Sequence, residues 1–68
     1  MHVSKIIRSL RRQKELSQKE LAKMCGVSPD TYRRWEHGSQ EPRLTQIITL
    51  AAALDANLEE LLISDGKS

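Results

Sequence analysis

Residues 17–38, SQKELAKMCGVSPDTYRRWEHG, constrain the fold more tightly than any other stretch of this chain. Ser17 followed by Glu20 has capping-box spacing: the hydroxyl accepts from a first-turn N–H while the carboxylate reaches back to the cap. A helix therefore starts at residue 17, with Leu21, Ala22 and Cys25 on its inner face. Ala22 is small enough to let a crossing helix approach closely. Gly26 then stands where a sharp reversal needs left-handed backbone angles, which cost a residue with a Cβ about 1 kcal/mol or more. Ser28-Pro29 restarts helix at once, a side-chain oxygen at the cap and a proline at the first position, where its missing N–H does no harm. Tyr32 and Trp35, three apart, join Val27 as a buried face, and Gly38 supplies the stop. Two short helices joined by one glycine turn follow from these signals. Pro29, Asp30, Arg33, Arg34 and His37 are left on the outer edge of the second, a basic edge suited to a DNA groove.

The flanking segments supply support. Val3, Ile7 and Leu10 recur at helical spacing with Ile6 beside them, so residues 4–14 are expected as a first amphipathic helix with Ser4 as a possible cap. Lys5, Arg8, Arg12 and Lys14 fall off that stripe and read as a solvated face; Leu16 turns inward. After a loop at 40–43 containing Pro42, the apolar positions Leu44, Ile47, Ile48, Leu50, Ala51 and Leu54 predict a fourth helix, apolar over a wide arc and substantially buried. Asn57 can cap a short fifth helix through Leu62, with Glu59 and Glu60 where negative charge suits the helix dipole. A chain of 68 residues is too short for two cores. The expected architecture is a single all-α domain over residues 1–68, with its core within about 3–63 and a frayed tail at 64–68.

Charge and cysteine usage narrow the function classes. The net charge is only +2, but ten of the eleven Lys and Arg residues lie between Lys5 and Arg43 against five acids there. The remainder holds Lys67 against Asp55, Glu59, Glu60 and Asp65. Solvated helix faces and an anionic partner both account for that asymmetry. The lone Cys25 excludes a disulfide within these residues and a cysteine-based zinc site, and it fits a reducing compartment. No apolar run is long enough for a membrane span or signal peptide, so a cytoplasmic location is expected. His2, His37 and Cys25 have neither metal-ligand nor triad spacing, and Cys25 lies on an apolar helical face. No catalytic residue, metal, cofactor or small-molecule ligand is expected.

Taken in order, IRSLR at 7–11, LSQKELA at 16–22, GVS at 26–28, WEHG at 35–38, EP at 41–42 and LEELL at 58–62 resemble the lambda-repressor-like and Cro-type helix-turn-helix domains, the XRE family. The resemblance spans almost the full chain. It implies a compact five-helix fold in which helices 2 and 3 form the reading unit, and a cytoplasmic transcriptional regulator, expected as a repressor, that binds double-stranded DNA as a homodimer on a palindromic operator. Carried over by position, Gln18 resembles the residue that contacts a phosphate at the start of helix 2, with Ser17 capping beside it. Ser28, Pro29, Asp30, Arg33 and Arg34 stand where base-edge and nearby contacts arise, and His37 stands near a backbone contact. Arg11 and Glu36 match a pair that bridges the first and third helices.

The chain departs from the family pattern at four places. Pro29 offers only an apolar ring where relatives often carry a hydrogen-bonding side chain, leaving that base to be read by contact with a thymine methyl or not at all. Asp30 either accepts from a cytosine amino group or stabilises the helix start and pairs with Arg33 or Arg34. Glu15 and Arg43 replace a frequent glycine and a frequent capping Ser or Thr. Arg34 is the first choice for direct readout, a fork matching guanine O6 and N7, and Arg33 for a phosphate. A dimer surface is sought at Asp55, Ala56, Leu58, Leu61 and Ile63, where core closure is the competing reading for Leu58 and Leu61. The alternative function is an antitoxin or accessory module whose main partner is a protein, with secondary or autoregulatory DNA binding.

Overall fold

The structure, a computed structural model, describes residues 3–62. Five helices follow one another: α1 (Ser4–Gln13), α2 (Gln18–Cys25), α3 (Pro29–His37), α4 (Leu44–Ala53) and α5 (Leu58–Leu62), with no strand among the described residues. Ile63, the tail at 64–68 and His2 lie outside the described residues.

The core gathers where the apolar stripes meet. Ile7 of α1, Leu21 of α2, Tyr32 and Trp35 of α3, Leu50 of α4, Leu54 and Leu61 are its largest fully buried side chains. Tyr32 and Trp35 meet edge to face, their ring centroids 6.0 Å apart and their planes at 72°, the arrangement that sets a positive ring edge against a negative face. Ala22 is fully buried, consistent with its place at a close helix crossing. Cys25, Leu16 and Val27 pack against this core while keeping part of their surface exposed.

Four helices end in the same way. A residue with positive φ is followed by an N–H that reaches back five residues: Leu16 to Arg11 O (3.1 Å), Val27 to Ala22 O (3.0 Å), Ser39 to Arg34 O (3.1 Å) and Ala56 to Ala51 O (2.9 Å). Gly26 (φ 73°) and Gly38 (φ 86°) take the left-handed position in α2 and α3, whereas Glu15 (φ 57°) and Asp55 (φ 55°) take it after α1 and α4. The two glycines thus flank α3, and the ends further from it carry the conformational strain of a Cβ in that region.

Two local expectations change. Ser4 does not cap α1: Val3, only 3% exposed, is drawn into the core and takes the cap position, with no side-chain cap bond, so Ser4 becomes the first helical residue. Helix α4 is not buried over a wide arc; Ile47, Leu50 and Ala51 face inward, but Leu44 is 58% and Ile48 48% exposed. Among the described residues no element covers that side. Arg43, whose guanidinium has no acceptor, forms only half of a capping box before α4, its N–H donating to Gln46 Oε1 at 2.7 Å.

Candidate nucleic-acid interface

The start of α2 is fixed by reciprocal bonds. Ser17 Oγ accepts from the Glu20 N–H at 2.9 Å, and Glu20 Oε1 accepts from the Ser17 N–H at 2.7 Å. The backbone N–H of Ser17 and then its hydroxyl hold the Glu20 carboxyl below its ordinary range. Ser28 does similar work for α3: its Oγ accepts from the Thr31 N–H at 3.1 Å and lies 3.0 Å from Thr31 Oγ1. Pro29 takes the first helical position behind that cap.

With Tyr32, Trp35 and Glu36 turned inward, α3 presents Asp30, Arg33, Arg34 and His37 outward, all exposed, with Pro29 half-buried. Asp30 is joined to Arg33 in an i, i+3 ion pair. Of the two partners the sequence offered Asp30, the fold selects Arg33. No side-chain hydrogen bond or ion pair engages Arg34 among the described residues, so its fork is available to a ligand.

Glu36 is the junction beneath this surface. Only 4% exposed, its carboxylate accepts from Arg11 Nε at 2.5 Å, Arg11 Nη2 at 3.3 Å, Gln18 Nε2 at 2.9 Å and the Tyr32 hydroxyl at 2.5 Å. Four donors occupy about all the lone-pair positions a carboxylate has. Burial pushes the Glu36 carboxyl up, but the hydrogen bonds from Arg11, Tyr32 and Gln18 and the charge of Arg11 outweigh it and hold the group below the usual carboxylate range. The hydrogen bond to Glu36 raises the Arg11 guanidinium in turn, and burial followed by the bond to Glu36 pushes the Tyr32 phenol upward. Arg11 Nη1 also donates to Leu16 O at 2.8 Å. One carboxylate therefore ties α1, the start of α2 and α3 into a fixed relation.

Arg8 was read from sequence as a solvated side chain, yet its Nη2 donates to Glu36 O at 3.2 Å and its Nε stands 4.0 Å from Glu36 Oε1. A shallow groove of about 580 Å³ between α1 and α3 brings Gln18, Asp30, Arg33, Arg34 and His37 together over the Arg11–Glu36 pair. Ser17, Ser28 and Pro29 do not line it, whereas Arg8, Arg12 and Ser39 do. The signal for the two arginines was their i, i+4 spacing on one face of α1, which places them as neighbours without saying which element they meet.

Of the residues considered for a dimer surface, Leu61 is fully buried and closes the core. Ala56 and Leu58 are half-buried against the core, and Asp55 is exposed, with its carboxylate 3.6 Å from Lys14 Nζ. Among the described residues no three His, Cys, Asp or Glu side chains gather as metal ligands, and no helix is long and apolar enough to cross a membrane.

A capped helix, a left-handed glycine turn and a second capped helix with a free polar edge, held on a helical support, define a helix-turn-helix domain. The closing bond Val27 N–H to Ala22 O (3.0 Å) fixes the turn between the two. The chain belongs to the helix-turn-helix family, whose sequence model matches residues 7–61. It is 37% identical over 62 residues to the cryptic phage CTXphi transcriptional repressor RstR of Vibrio cholerae, covering 91% of this chain and 55% of that protein. It is 34% identical over 59 residues to the HTH-type transcriptional regulator YqaE of Bacillus subtilis (strain 168), covering 87% of this chain and 51% of that protein. The chain thus spans about half the length of the curated relatives it matches. Among solved structures it is similar to the DNA-binding domain of the P22 C2 repressor determined by nuclear magnetic resonance, with a TM-score of 0.88 and 30% identity over 98% of this chain and 88% of that one.

Proposed function

We propose that this chain binds double-stranded DNA sequence-specifically as a transcriptional repressor, laying α3 in the major groove as one half of a homodimer on a palindromic operator. It acts by binding, not by catalysis. The observation that carries the reading is the outward edge of α3, free of the core and set on a network that fixes its orientation. Arg34, exposed and uncommitted, reads a guanine through O6 and N7. Arg33, already neutralised in part by Asp30, contacts a phosphate, and His37 lies near the backbone. At the start of α2 the first N–H groups and the Gln18 amide meet a second phosphate, favoured by the positive end of the helix dipole. Ser28 spends its hydroxyl on the cap, and the Pro29 ring is left for contact with a thymine methyl.

Size supports two copies. The domain measures 30 × 23 × 20 Å, shorter than the roughly 34 Å that separates successive major-groove faces. Asp55, Ala56 and Leu58 remain as the surface for the pairing, with Ile63 outside the described residues. A second reading is favoured by Leu44 and Ile48, exposed one turn apart on α4: docking of a protein partner, as in an antitoxin or accessory module. The test is selection of bound sequences from a random duplex pool. A palindrome with half-sites one turn apart supports the dimeric regulator; no retention at low salt, with a stoichiometric protein captured instead, supports the second reading and overturns the first.

A further inference from the structure

We propose that α1 carries a separate phosphate-binding track, Lys5, Arg8 and Arg12, that extends the duplex contact beyond α3; the inference rests on the DNA-binding reading above. Charge is the first support. The groove between α1 and α3 collects five arginines against two carboxylates, a net of three positive charges with histidine neutral, whereas the whole chain carries +2. Cations focused in a concave surface raise the local concentration of an anionic partner.

The internal partners decide which of these cations are left for a ligand. Arg11 is spent on Glu36, and Arg33, paired in part with Asp30, belongs with Arg34 to the α3 edge already described. Arg12 is exposed and engages no described side chain or carbonyl through hydrogen bond or ion pair. Arg8 is anchored and only partly paired: its Nη2 donates to Glu36 O at 3.2 Å and its Nε stands 4.0 Å from Glu36 Oε1, while its side chain keeps 42% exposure, a preorganised guanidinium with edges still facing solvent. A second hollow of about 420 Å³ on the far side of Arg8 and Arg12 is lined by Lys5 as well. The two hollows share both arginines, so the cationic surface runs without a break from the α3 edge across α1. Arg8 and Arg12 are one helical turn apart, about 6 Å along the axis. A duplex seated on α3 carries a charge every ~1.7 Å of its axis, which suits a contiguous track better than a point contact.

Salt dependence of binding to a labelled random-sequence duplex tests the track, because phosphate contacts need no operator. Arg12→Gln is expected to reduce the slope of log K against log salt by about 0.9, and Arg8→Gln with Arg12→Gln by about 1.8. Between roughly 50 and 200 mM salt, each arginine removed then makes the loss of affinity about 3.5-fold smaller. The motif recovered from a random pool stays that of the unaltered chain. The Arg12 side chain makes no hydrogen bond or ion pair among the described residues, so its variant decides the matter even if the Arg8 change loosens the fold. Slopes equal to the unaltered chain in both variants, with Arg33→Ala still lowering it, overturn the track and leave the α3 reading standing. Polyglutamate binding that depends on Arg12 while duplex binding does not also overturns it, in favour of an acidic peptide. An unaltered chain that binds no duplex at low salt overturns the track and the proposed function together.

Discussion

Replacing Arg11 with Met removes the cation from the Glu36 junction while keeping most of the stem that packs there. Glu36 then loses its bonds at 2.5 and 3.3 Å and keeps those from Gln18 and Tyr32. The carbonyl of Leu16 also loses a donor that stood at 2.8 Å. With side-chain exposures of 12% for Arg11 and 5% for Glu36, the pair is buried enough that stranding one partner costs about 3 to 5 kcal/mol. Arg8, whose Nε is 4.0 Å from Glu36 Oε1, offers partial compensation and places the expectation near the lower figure. A domain of this size has roughly 3 to 10 kcal/mol of stability in all, so Arg11→Met brings it close to unfolding.

Urea unfolding of Arg11→Met, Glu36→Gln and the double variant separates charge from packing. The double variant keeps an acceptor for the Tyr32 hydroxyl and strands no charge, so it is expected to be more stable than Arg11→Met by about 2 kcal/mol. The pH dependence weakens as well. In the unaltered chain the folded Glu36 carboxyl lies below its ordinary value of 4.5, so its contribution is present above that pH and is lost as pH falls through the folded value. Without Arg11, its hydrogen bond and its charge no longer hold the carboxyl down while burial still pushes it up, so the folded value rises and less stability is lost as pH falls through it. A loss under about 1 kcal/mol together with an unchanged pH slope would refute the account of Glu36 as a buried, cation-dependent junction.

Three further outcomes follow from particular residues. Glu15→Gly relieves a Cβ at φ 57°, so stability is expected to rise by about 1 kcal/mol and the melting temperature by about 4 to 8 °C; a fall would contradict the strain. Arg43→Ser supplies the side-chain acceptor α4 lacks, and about 0.5 to 1 kcal/mol of stabilisation in a thermal melt is the expected reading, with no gain counting against it. Arg34→Ala should relax specificity at one operator position, whereas Arg33→Ala should weaken all duplexes alike and lower the salt slope by about one; equal losses on operator and random duplex for Arg34→Ala would remove its role in readout.

The reading unit was legible because its instructions are local. The Ser17–Glu20 box, Gly26, Ser28-Pro29 and Gly38 each act within a few residues, and all four lie where the sequence put them. What tertiary packing decides was less legible. The apolar periodicity of α4 is real, but nothing in it tells that Ile47 and Leu50 meet a neighbouring helix while Leu44 and Ile48 do not. Arg11 and Glu36 were paired through family resemblance, yet the convergence of Gln18, Tyr32 and Arg8 on the same residue joins positions up to 28 apart and belongs to the fold alone. The outer edge of α3 followed from its period, since fixing Tyr32 and Trp35 inward leaves Asp30, Arg33, Arg34 and His37 outward.

The central claim is that this free edge of α3 meets the bases. Amide chemical-shift mapping of the isotope-labelled chain, titrated with the duplex recovered from the random pool, tests it most directly. The account predicts the largest changes at residues 28–37 and at Ser17 and Gln18, with the core positions Leu50 and Leu54 unmoved. Changes confined to α4 and α5, with residues 28–37 unaffected at saturation, would contradict it.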